Sequence, residues 1–172
     1  MNIQKVQNIP SPRAKILVVG FKGKNNSSRV LVENINAEKT DKLLLTNSFL
    51  TSEKELENKL SHRYSYVIAI GQKPDAKNVV IEKQATKNGK SLKTNFPIAK
   101  LAEAFMASGF DFSFSENAGN YLCNNAYYAG LNYIKTNDLQ TEKLFLHVPS
   151  KKSNFDFFGL AAVLDEFLRA II

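Results

Sequence analysis

Short apolar runs alternate with amphipathic segments along almost the whole chain, and this alternation limits the fold more than any other feature. The apolar runs have the length and the flanking glycines of buried strands, whereas the segments between them repeat apolar residues at helical spacing. Strands that alternate with helices form mainly parallel sheets with helices on both faces. The sequence therefore predicts an α/β fold, a three-layer α/β/α sandwich with a mainly parallel or mixed sheet.

Five apolar runs are expected to be strands of one sheet. They are residues 15–20, 42–46, 66–70, 78–82 and 143–148. A sixth, shorter strand is predicted over residues 111–115. Because functional sites of such sheets lie where strands end and loops begin, the ends of these runs are the places to search for chemistry.

Helices are predicted between most of these strands. The periodic segments cover residues 51–60, 97–107, 121–135 and 156–172, and another helix follows candidate N-caps at residues 25–28. The helix over 51–60 is expected to start with a capping box, in which Thr51 or Ser52 has an acidic residue three positions later.

Two segments are predicted to have no regular structure. Residues 83–95 are polar, contain Gly89 and are expected to form an exposed loop. Residues 1–14 carry Pro10 and Pro12 and are expected to form a flexible N-terminal arm. Residues 15–172 are then expected to form a single α/β domain.

Composition excludes several classes of protein. Of the 172 residues, 44% are hydrophobic and 23% are charged, which is typical of a globular protein and excludes disorder of the whole chain. No apolar run has the roughly 18 residues of a transmembrane helix, and the N-terminus has no apolar core of a signal peptide. The single cysteine excludes an internal disulfide. A cytoplasmic protein that does not contact membranes is therefore expected.

The net charge of +7 raises the question of an anionic partner. The lysines are mostly isolated, Lys151 and Lys152 form the only contiguous basic pair, and the sequence has no motif of a nucleic-acid module. We therefore expect no nucleic-acid partner.

The segment around Cys123 carries the clearest indication of chemistry. A turn of small residues at 115–120 leads into the helix predicted from Tyr121, so the only cysteine lies near a helix N-terminus. Free N–H groups there favour a thiolate and could bind an oxyanion. A buried structural cysteine explains the same residue equally well.

Two further residues could complete a catalytic group. His147 ends an apolar strand and could be the base that activates a thiol, although a half-buried strand histidine is the simpler interpretation. Glu82 closes the strand over 78–82 and could orient the imidazole, or it could be a surface residue at a strand end. The other histidine, His62, is expected on the solvated surface.

A resemblance to a known family distinguishes these alternatives. Residues 118–124 read AGNYLCN and are similar to the A-G-T-[YF]-[LVI]-C-N motif of the pyroglutamyl peptidase I family, or pyrrolidone-carboxylate peptidases. Residues 145–149 read FLHVP and resemble that family's F-I-H-[VI]-P motif, and the cysteine and histidine are 24 residues apart, as in the family. Gly71, Gln72 and Glu82 match the ends of its third motif.

The resemblance implies a cysteine peptidase that removes N-terminal pyroglutamate from peptides through an acyl-enzyme. It assigns Cys123 as the nucleophile, His147 as the general acid and base, and Glu82 as the orienting carboxylate. It implies a three-layer sandwich, no metal or organic cofactor, and a possible homo-oligomer, either a tetramer or a dimer. Its partner would be a peptide that begins with pyroglutamate.

The chain departs from the family around the substrate pocket. Phe21 matches the first of two phenylalanines that clasp the lactam ring, but Lys24 occupies the second position. A Gly-Gly-Arg of the third motif reads Pro-Asp-Ala at residues 74–76, and Leu92 stands where the family has an arginine. The loop that follows Glu82 is also shorter than in the family.

A lactam slot would have to be built from the residues that remain. We expect Phe21, Tyr121 and Leu122 to form its apolar walls and Gln72 to lie close by at a strand end. Because the pocket is altered, two alternatives stay open: a hydrolase of altered specificity, and a catalytically inactive homologue that binds an anion or a nucleic acid.

Overall fold

A six-stranded sheet forms the middle of the protein in the computed structural model, which describes residues 15–172. Two further strands form a separate hairpin. In chain order the strands are β1 (Ile16–Phe21), β2 (Thr40–Leu45), β3 (Tyr66–Gln72), β4 (Val79–Glu82), β5 (Gln84–Lys87), β6 (Lys90–Lys93), β7 (Phe112–Ser115) and β8 (Glu142–Val148). The five helices are α1 (Ser27–Asn34), α2 (Phe49–Leu60), α3 (Ile98–Ala107), α4 (Leu122–Thr136) and α5 (Phe157–Ile171).

The sheet is mixed, with the order β2-β1-β3-β8-β4-β7. Strands β1, β2, β3 and β8 are parallel, β4 is antiparallel to β8, and the edge strand β7 is parallel to β4. All five runs expected in one sheet lie in it, so the predicted α/β class and sheet are confirmed. The predicted arm over residues 1–14 lies outside the described residues.

The helices cover both faces of the sheet. One apolar core packs α1, α3 and α5 against one face, and a second core packs α2, α4 and the β5–β6 hairpin against the other. Because β1, β3 and β8 are covered on both sides, almost every residue in them is buried. Of the five helices described, none is long and apolar enough to cross a membrane.

The exposed loop predicted over residues 83–95 is wrong. Strands β5 and β6 pair antiparallel there, with Thr86 opposite Ser91. Asn88 and Gly89 form the two-residue turn, with φ angles of 52° and 73°, and an Asn-Gly pair is the residue pair that such a turn favours. The hairpin has an apolar inner side, because Ala85 is fully buried in the core under α4.

The predicted start of the second helix is also wrong. Helix α2 begins at Phe49, and Ser48 is its N-cap, whose side chain accepts a hydrogen bond from the backbone N–H of Thr51. The capping box at Thr51 or Ser52 is therefore not used. Ser52 instead lies fully buried inside the helix, where its hydroxyl donates to the Phe49 carbonyl.

Candidate active site

The candidate site lies at the carboxyl ends of three neighbouring parallel strands. Phe21 is the last residue of β1, Gln72 is the last of β3, and His147 is one residue from the end of β8. Gly71 and His147 are directly paired across β3 and β8. The fold therefore brings together residues that are far apart in the sequence, at the edge where sites of such sheets form.

His147 and Glu82 form a buried pair on adjacent strands. Glu82 lies opposite Phe145, two residues from His147, so both side chains point to the face covered by α4. The distance from His147 Nδ1 to Glu82 Oε1 is 2.7 Å, and Glu82 is fully buried. Because a carboxylate only accepts, Nδ1 is the donor, and Nε2 is left free to accept a proton. Glu82 is thus not a surface residue.

Helix α4 fixes the position of Glu82. The buried Tyr127 hydroxyl donates a 2.8 Å hydrogen bond to the Glu82 backbone carbonyl. The second carboxylate oxygen, Oε2, is buried and has no hydrogen-bond partner within residues 15–172. Among the described side chains, the Glu82 carboxylate is therefore hydrogen-bonded to His147 alone.

Cys123 is half-buried in the first turn of α4, as the sequence predicts. The N-cap Tyr121 has an extended backbone and its side chain does not cap the helix, so the first N–H groups stay available. A Cβ added at Gly71 would lie 2.5 Å from Cys123 Sγ. Only a glycine at position 71, the strand partner of His147, therefore leaves room for the Cys123 sulfur.

The resting thiol is neutral at physiological pH. Burial, followed by the negative charge of Glu82, raises the pKa of Cys123 to about 12. These two effects outweigh the lowering that the sequence led us to expect from the helix N-terminus. A thiol in this position needs a base to take its proton before it can attack.

Phe21 and Leu122 belong to the apolar core on the α4 face of the sheet. Both are buried, and Cys123 packs against that core. Gln72 is only partly buried, and its Oε1 accepts a hydrogen bond from the backbone N–H of Ser27 at 2.9 Å. That contact fixes the amide at the end of β3, and within residues 15–172 its NH₂ group makes no hydrogen bond.

Tyr121 is exposed, unlike the buried Phe21 and Leu122. Its ring is 67% exposed and packs edge-on against Phe49, with the ring centroids 5.4 Å apart. Lys24 is exposed, and its backbone carbonyl accepts a hydrogen bond from Lys151. His62 is exposed as predicted.

One further side chain near the cysteine was missed by the sequence reasoning. The Asn124 side chain bonds to both backbone groups of Thr86: it accepts from the N–H at 3.0 Å and donates to the carbonyl at 2.7 Å. It thereby fastens the β5–β6 hairpin to the first turn of α4. The adjacent Asn in the AGNYLCN segment was the available indication.

A segment of the chain matches a known protein family. Residues 84–154 match the model of the pyroglutamyl peptidase family. Over 53 residues the chain is 40% identical to pyrrolidone-carboxylate peptidase 1 of Caldanaerobacter subterraneus subsp. tengcongensis, and 38% identical to that organism's pyrrolidone-carboxylate peptidase 2. Each match covers 31% of this chain and 26% of the relative, so the chain matches about a quarter of the length of these curated relatives.

Solved structures agree with this placement at the level of fold. A mutant pyrrolidone carboxyl peptidase (E192I) from Pyrococcus furiosus superposes with a TM-score of 0.78 and 20% identity, covering 91% of this chain and 98% of that one. Pyroglutamyl peptidase I from Bacillus amyloliquefaciens superposes with a TM-score of 0.79 and 17% identity, covering 88% and 91%. The segment over residues 84–154 is therefore similar to the pyroglutamyl peptidase family, and the described chain shares the fold of these solved structures.

The segment that matches this pyroglutamyl peptidase family model contains only part of the candidate site. It includes Cys123 and His147 but begins two residues after Glu82, and Phe21 and Gln72 lie far upstream of it. The position of Glu82 beside His147 is therefore an observation independent of the matched segment.

Proposed function

We propose that this protein is a cysteine peptidase that removes N-terminal pyroglutamate from peptides, with Cys123, His147 and Glu82 as its triad. The observation that carries the proposal is the buried 2.7 Å contact between His147 and Glu82. Gly71, the strand partner of His147, makes room for the sulfur of Cys123, the only cysteine in the sequence. A nucleophile, a base and a group that orients the base are the three parts that such catalysis needs.

The first half of the reaction forms an acyl-enzyme. His147 Nε2 takes the thiol proton while Sγ attacks the pyroglutamyl carbonyl carbon, so a C–S bond forms and the carbonyl oxygen becomes an oxyanion. The free N–H groups at the start of α4 stabilise that oxyanion. The C–N bond then breaks, and His147 gives its proton to the leaving amine, which departs as the shortened peptide.

The second half releases pyroglutamate. His147 takes a proton from water as the oxygen attacks the thioester carbon, the C–S bond breaks, and the proton returns to the sulfur. Glu82 keeps the imidazole in the tautomer that accepts at Nε2 and stabilises the imidazolium in both halves. A raised thiol pKa fits this sequence, because proton removal is then coupled to attack rather than completed beforehand.

The proposed lactam slot follows from the same placement. Phe21 and Leu122 belong to the apolar core against which Cys123 packs, and apolar side chains suit the carbon atoms of the ring. Gln72 is held by Ser27 through its oxygen, so its NH₂ group is free to donate to the lactam carbonyl. A small cyclic amide needs such an apolar slot with a few directed hydrogen bonds.

A second candidate is a hydrolase of altered specificity, and the exposed Lys24 favours it. A lysine in place of a clasping aromatic ring removes a contact of about 1 kcal/mol, or roughly fivefold in affinity. On the first proposal we expect weak hydrolysis of pyroglutamyl substrates with a high KM, and Lys24→Phe should lower that KM.

Turnover of pyroglutamyl-, prolyl- and alanyl-arylamides tests both candidates. Preference for the pyroglutamyl compound supports the first, and equal rates or preference for an uncyclised residue support the second. Iodoacetamide should label Cys123 stoichiometrically with loss of turnover, and Cys123→Ser should be inactive and unlabelled. Retention on heparin that depends on salt and ignores alkylation, without turnover, would instead identify an anion-binding homologue.

A further inference from the structure

A cleft beside the proposed nucleophile is not used by the mechanism above. It has a volume of about 470 Å³ and lies between the first residues of α2 and α4 and the turn of the β5–β6 hairpin. Phe49, Tyr121, Asn125 and the hairpin residues 86–89 supply most of its walls. We call it the hairpin cleft. Its size is within the range of clefts that bind small ligands, about 300–1,000 Å³.

The walls of the hairpin cleft are tied to one another. Asn124 joins α4 to the hairpin through its two hydrogen bonds to Thr86. Lys87 joins the hairpin to α2 through a 3.2 Å ion pair with Glu53. The ring of Phe49 joins α2 to Tyr121. The cleft is therefore preformed, and a ligand would not have to organise it.

An exposed aromatic pair forms one side of the hairpin cleft. Phe49 is 45% exposed and Tyr121 is 67% exposed, and their rings meet at an interplanar angle of 85°. Exposed aromatic rings that are held rigidly lose little conformational entropy when they bind, which makes them effective contacts for apolar or aromatic side chains.

One residue that lines the hairpin cleft has a hydrogen-bond donor without an acceptor in the described part of the chain. Asn125 lines it, and the buried Nδ2 of Asn125 has no hydrogen-bond partner within residues 15–172. An amide donor beside an aromatic pair suits a peptide, because a peptide offers a backbone carbonyl next to each side chain.

The hairpin cleft adjoins the first turn of α4, which carries the proposed nucleophile. Tyr121 lines the cleft and directly precedes Leu122 and Cys123 in the chain. When the scissile carbonyl lies on Cys123 Sγ and the lactam lies against Phe21 and Leu122, the leaving peptide has to extend away from that slot. A path past Tyr121 leads into the cleft.

We propose that the hairpin cleft binds the peptide that follows the pyroglutamyl residue, and that it selects an aromatic side chain at one of the first two positions after the scissile bond. The Phe49–Tyr121 pair packs against that side chain, and Asn125 Nδ2 donates to a backbone carbonyl of the peptide. This inference rests on the proposed function, since it names the second part of the same substrate.

Three substrates test the selection: the amides of pyroglutamyl-Ala-Ala, pyroglutamyl-Phe-Ala and pyroglutamyl-Ala-Phe. We expect kcat/KM to be about fivefold higher for one of the two aromatic peptides than for pyroglutamyl-Ala-Ala. Phe49→Ala should abolish this preference, so that the ratio of kcat/KM for the aromatic peptide to that for pyroglutamyl-Ala-Ala falls to about one in that variant. Asn125→Ala should lower all three rates by a similar factor and keep their ratio.

Leu50→Ala is the matched control. Leu50 is the next residue of α2 and is 62% exposed, but it does not line the cleft, so this variant should keep the aromatic preference. A loss of preference in Leu50→Ala equal to that in Phe49→Ala would attribute the effect to the start of α2 and overturn the inference.

A binding measurement separates this inference from the proposed function. The amides of Phe-Ala and Ala-Phe, which are the leaving peptides, are titrated into the full chain and followed by NMR. Equal rates on the three peptides together with no binding would overturn the cleft proposal while turnover keeps the hydrolase. Binding that Phe49→Ala abolishes, without turnover of any pyroglutamyl compound, would keep the cleft as a peptide site and reject the hydrolase.

Discussion

Two buried ionisable side chains lie four residues apart on the same face of β8, and they are in opposite situations. His147 is paired with Glu82 at 2.7 Å. Lys143 is fully buried, and its Nζ has no hydrogen-bond partner within residues 15–172. Its nearest compensation is the face of the Tyr127 ring, whose centroid is 5.8 Å from Nζ.

The difference shows what pairing does for a buried charge. In the proposed mechanism, the carboxylate of Glu82 stabilises positive charge on His147. Burial without a partner instead lowers the pKa of Lys143 to about 7, so that side chain loses its charge at mildly alkaline pH. In the proposed mechanism, one end of β8 is organised for a charge that forms during the reaction, whereas the other end carries a charge at the expense of stability.

A glycine makes room at each end. Gly71, the strand partner of His147, leaves space for the Cys123 sulfur, and Gly130 on α4 leaves space for the Lys143 stem. Substitutions of Glu82 and Gly71 at one end, and of Lys143 and Gly130 at the other, therefore test one comparison. The first two should change mainly the activity, and the last two mainly the stability.

The largest effect is expected for Glu82→Gln. The amide keeps the shape but removes the charge that holds His147 in its tautomer, so kcat should fall about 10³-fold or more. Initial rates on a pyroglutamyl-arylamide measure this. Glu116→Gln is the control, because Glu116 is an exposed carboxylate that pairs with Lys83, and its rate should equal that of the native chain. A loss under tenfold in Glu82→Gln would reject Glu82 as the orienting group.

The next effect is expected for Gly71→Ala. The added Cβ would lie 2.5 Å from Cys123 Sγ and 2.8 Å from Phe145 Cζ, so the sulfur has to move. Displacement of a nucleophile by about 1 Å costs on the order of 10²-fold in rate. The measurement is kcat at a temperature where the variant is folded.

Gly20→Ala controls for strain in the sheet. Its Cβ would lie 2.8 Å from Val32 Cγ2, on the face away from Cys123, so it should lower the melting temperature but keep kcat. If both variants kept kcat, the sulfur beside Gly71 would not be the nucleophile.

Lys143→Met should stabilise the protein by roughly 2 kcal/mol near pH 6 and leave turnover within threefold. The pKa of Lys143 is about 7 when folded and 10.5 when unfolded, so between these values the unfolded chain binds the extra proton. The unfolding free energy of the native chain should therefore rise from pH 7 to pH 10.5, and the gain from Lys143→Met should vanish over that interval.

Urea titrations at several pH values measure this prediction. Lys135→Met, at an exposed lysine of α4, should keep the rise with pH that the native chain shows. An identical rise in Lys143→Met would mean that another group causes it.

The smallest effect is expected for Gly130→Ala. An alanine inside a helix ordinarily gains about 1 kcal/mol over glycine, but here the Cβ would lie 2.8 Å from Lys143 Cδ. Because Lys143 is fully buried, we expect a net loss of about 1 kcal/mol instead. Adding Lys143→Ala should turn the Gly130→Ala change into a gain, and thermal unfolding of the four chains measures the coupling. A gain from Gly130→Ala alone would show that Lys143 moves aside freely.

The predicted and observed structures differ most between Glu82 and Pro97. The Asn88-Gly89 turn could have been recognised in the sequence, but the flanking strands are four residues each and mostly polar. Only the packing of Ala85 under α4 gives the hairpin its apolar side. The start of α2 was predicted wrongly for a related reason. Phe49 and Leu50 are apolar but exposed at the helix start, so they do not extend the apolar periodicity of the helix back to its N-cap, Ser48.

The sequence by itself determined the sandwich and the nature of the reactive groups. Apolar runs of strand length and segments of helical period are local patterns, and so are a cysteine at a helix start and a histidine at a strand end. These patterns placed Cys123 and His147 at the ends of elements that the fold contains.

Only the tertiary structure decided which of these groups meet and which are buried. Strand β4 pairs antiparallel with β8 and brings Glu82 to His147 across 65 residues of chain. Helix α4 covers one face of β8 and buries Lys143 there. Strand order, register and the close approach at a glycine depend on contacts between distant segments, and no local pattern encodes them.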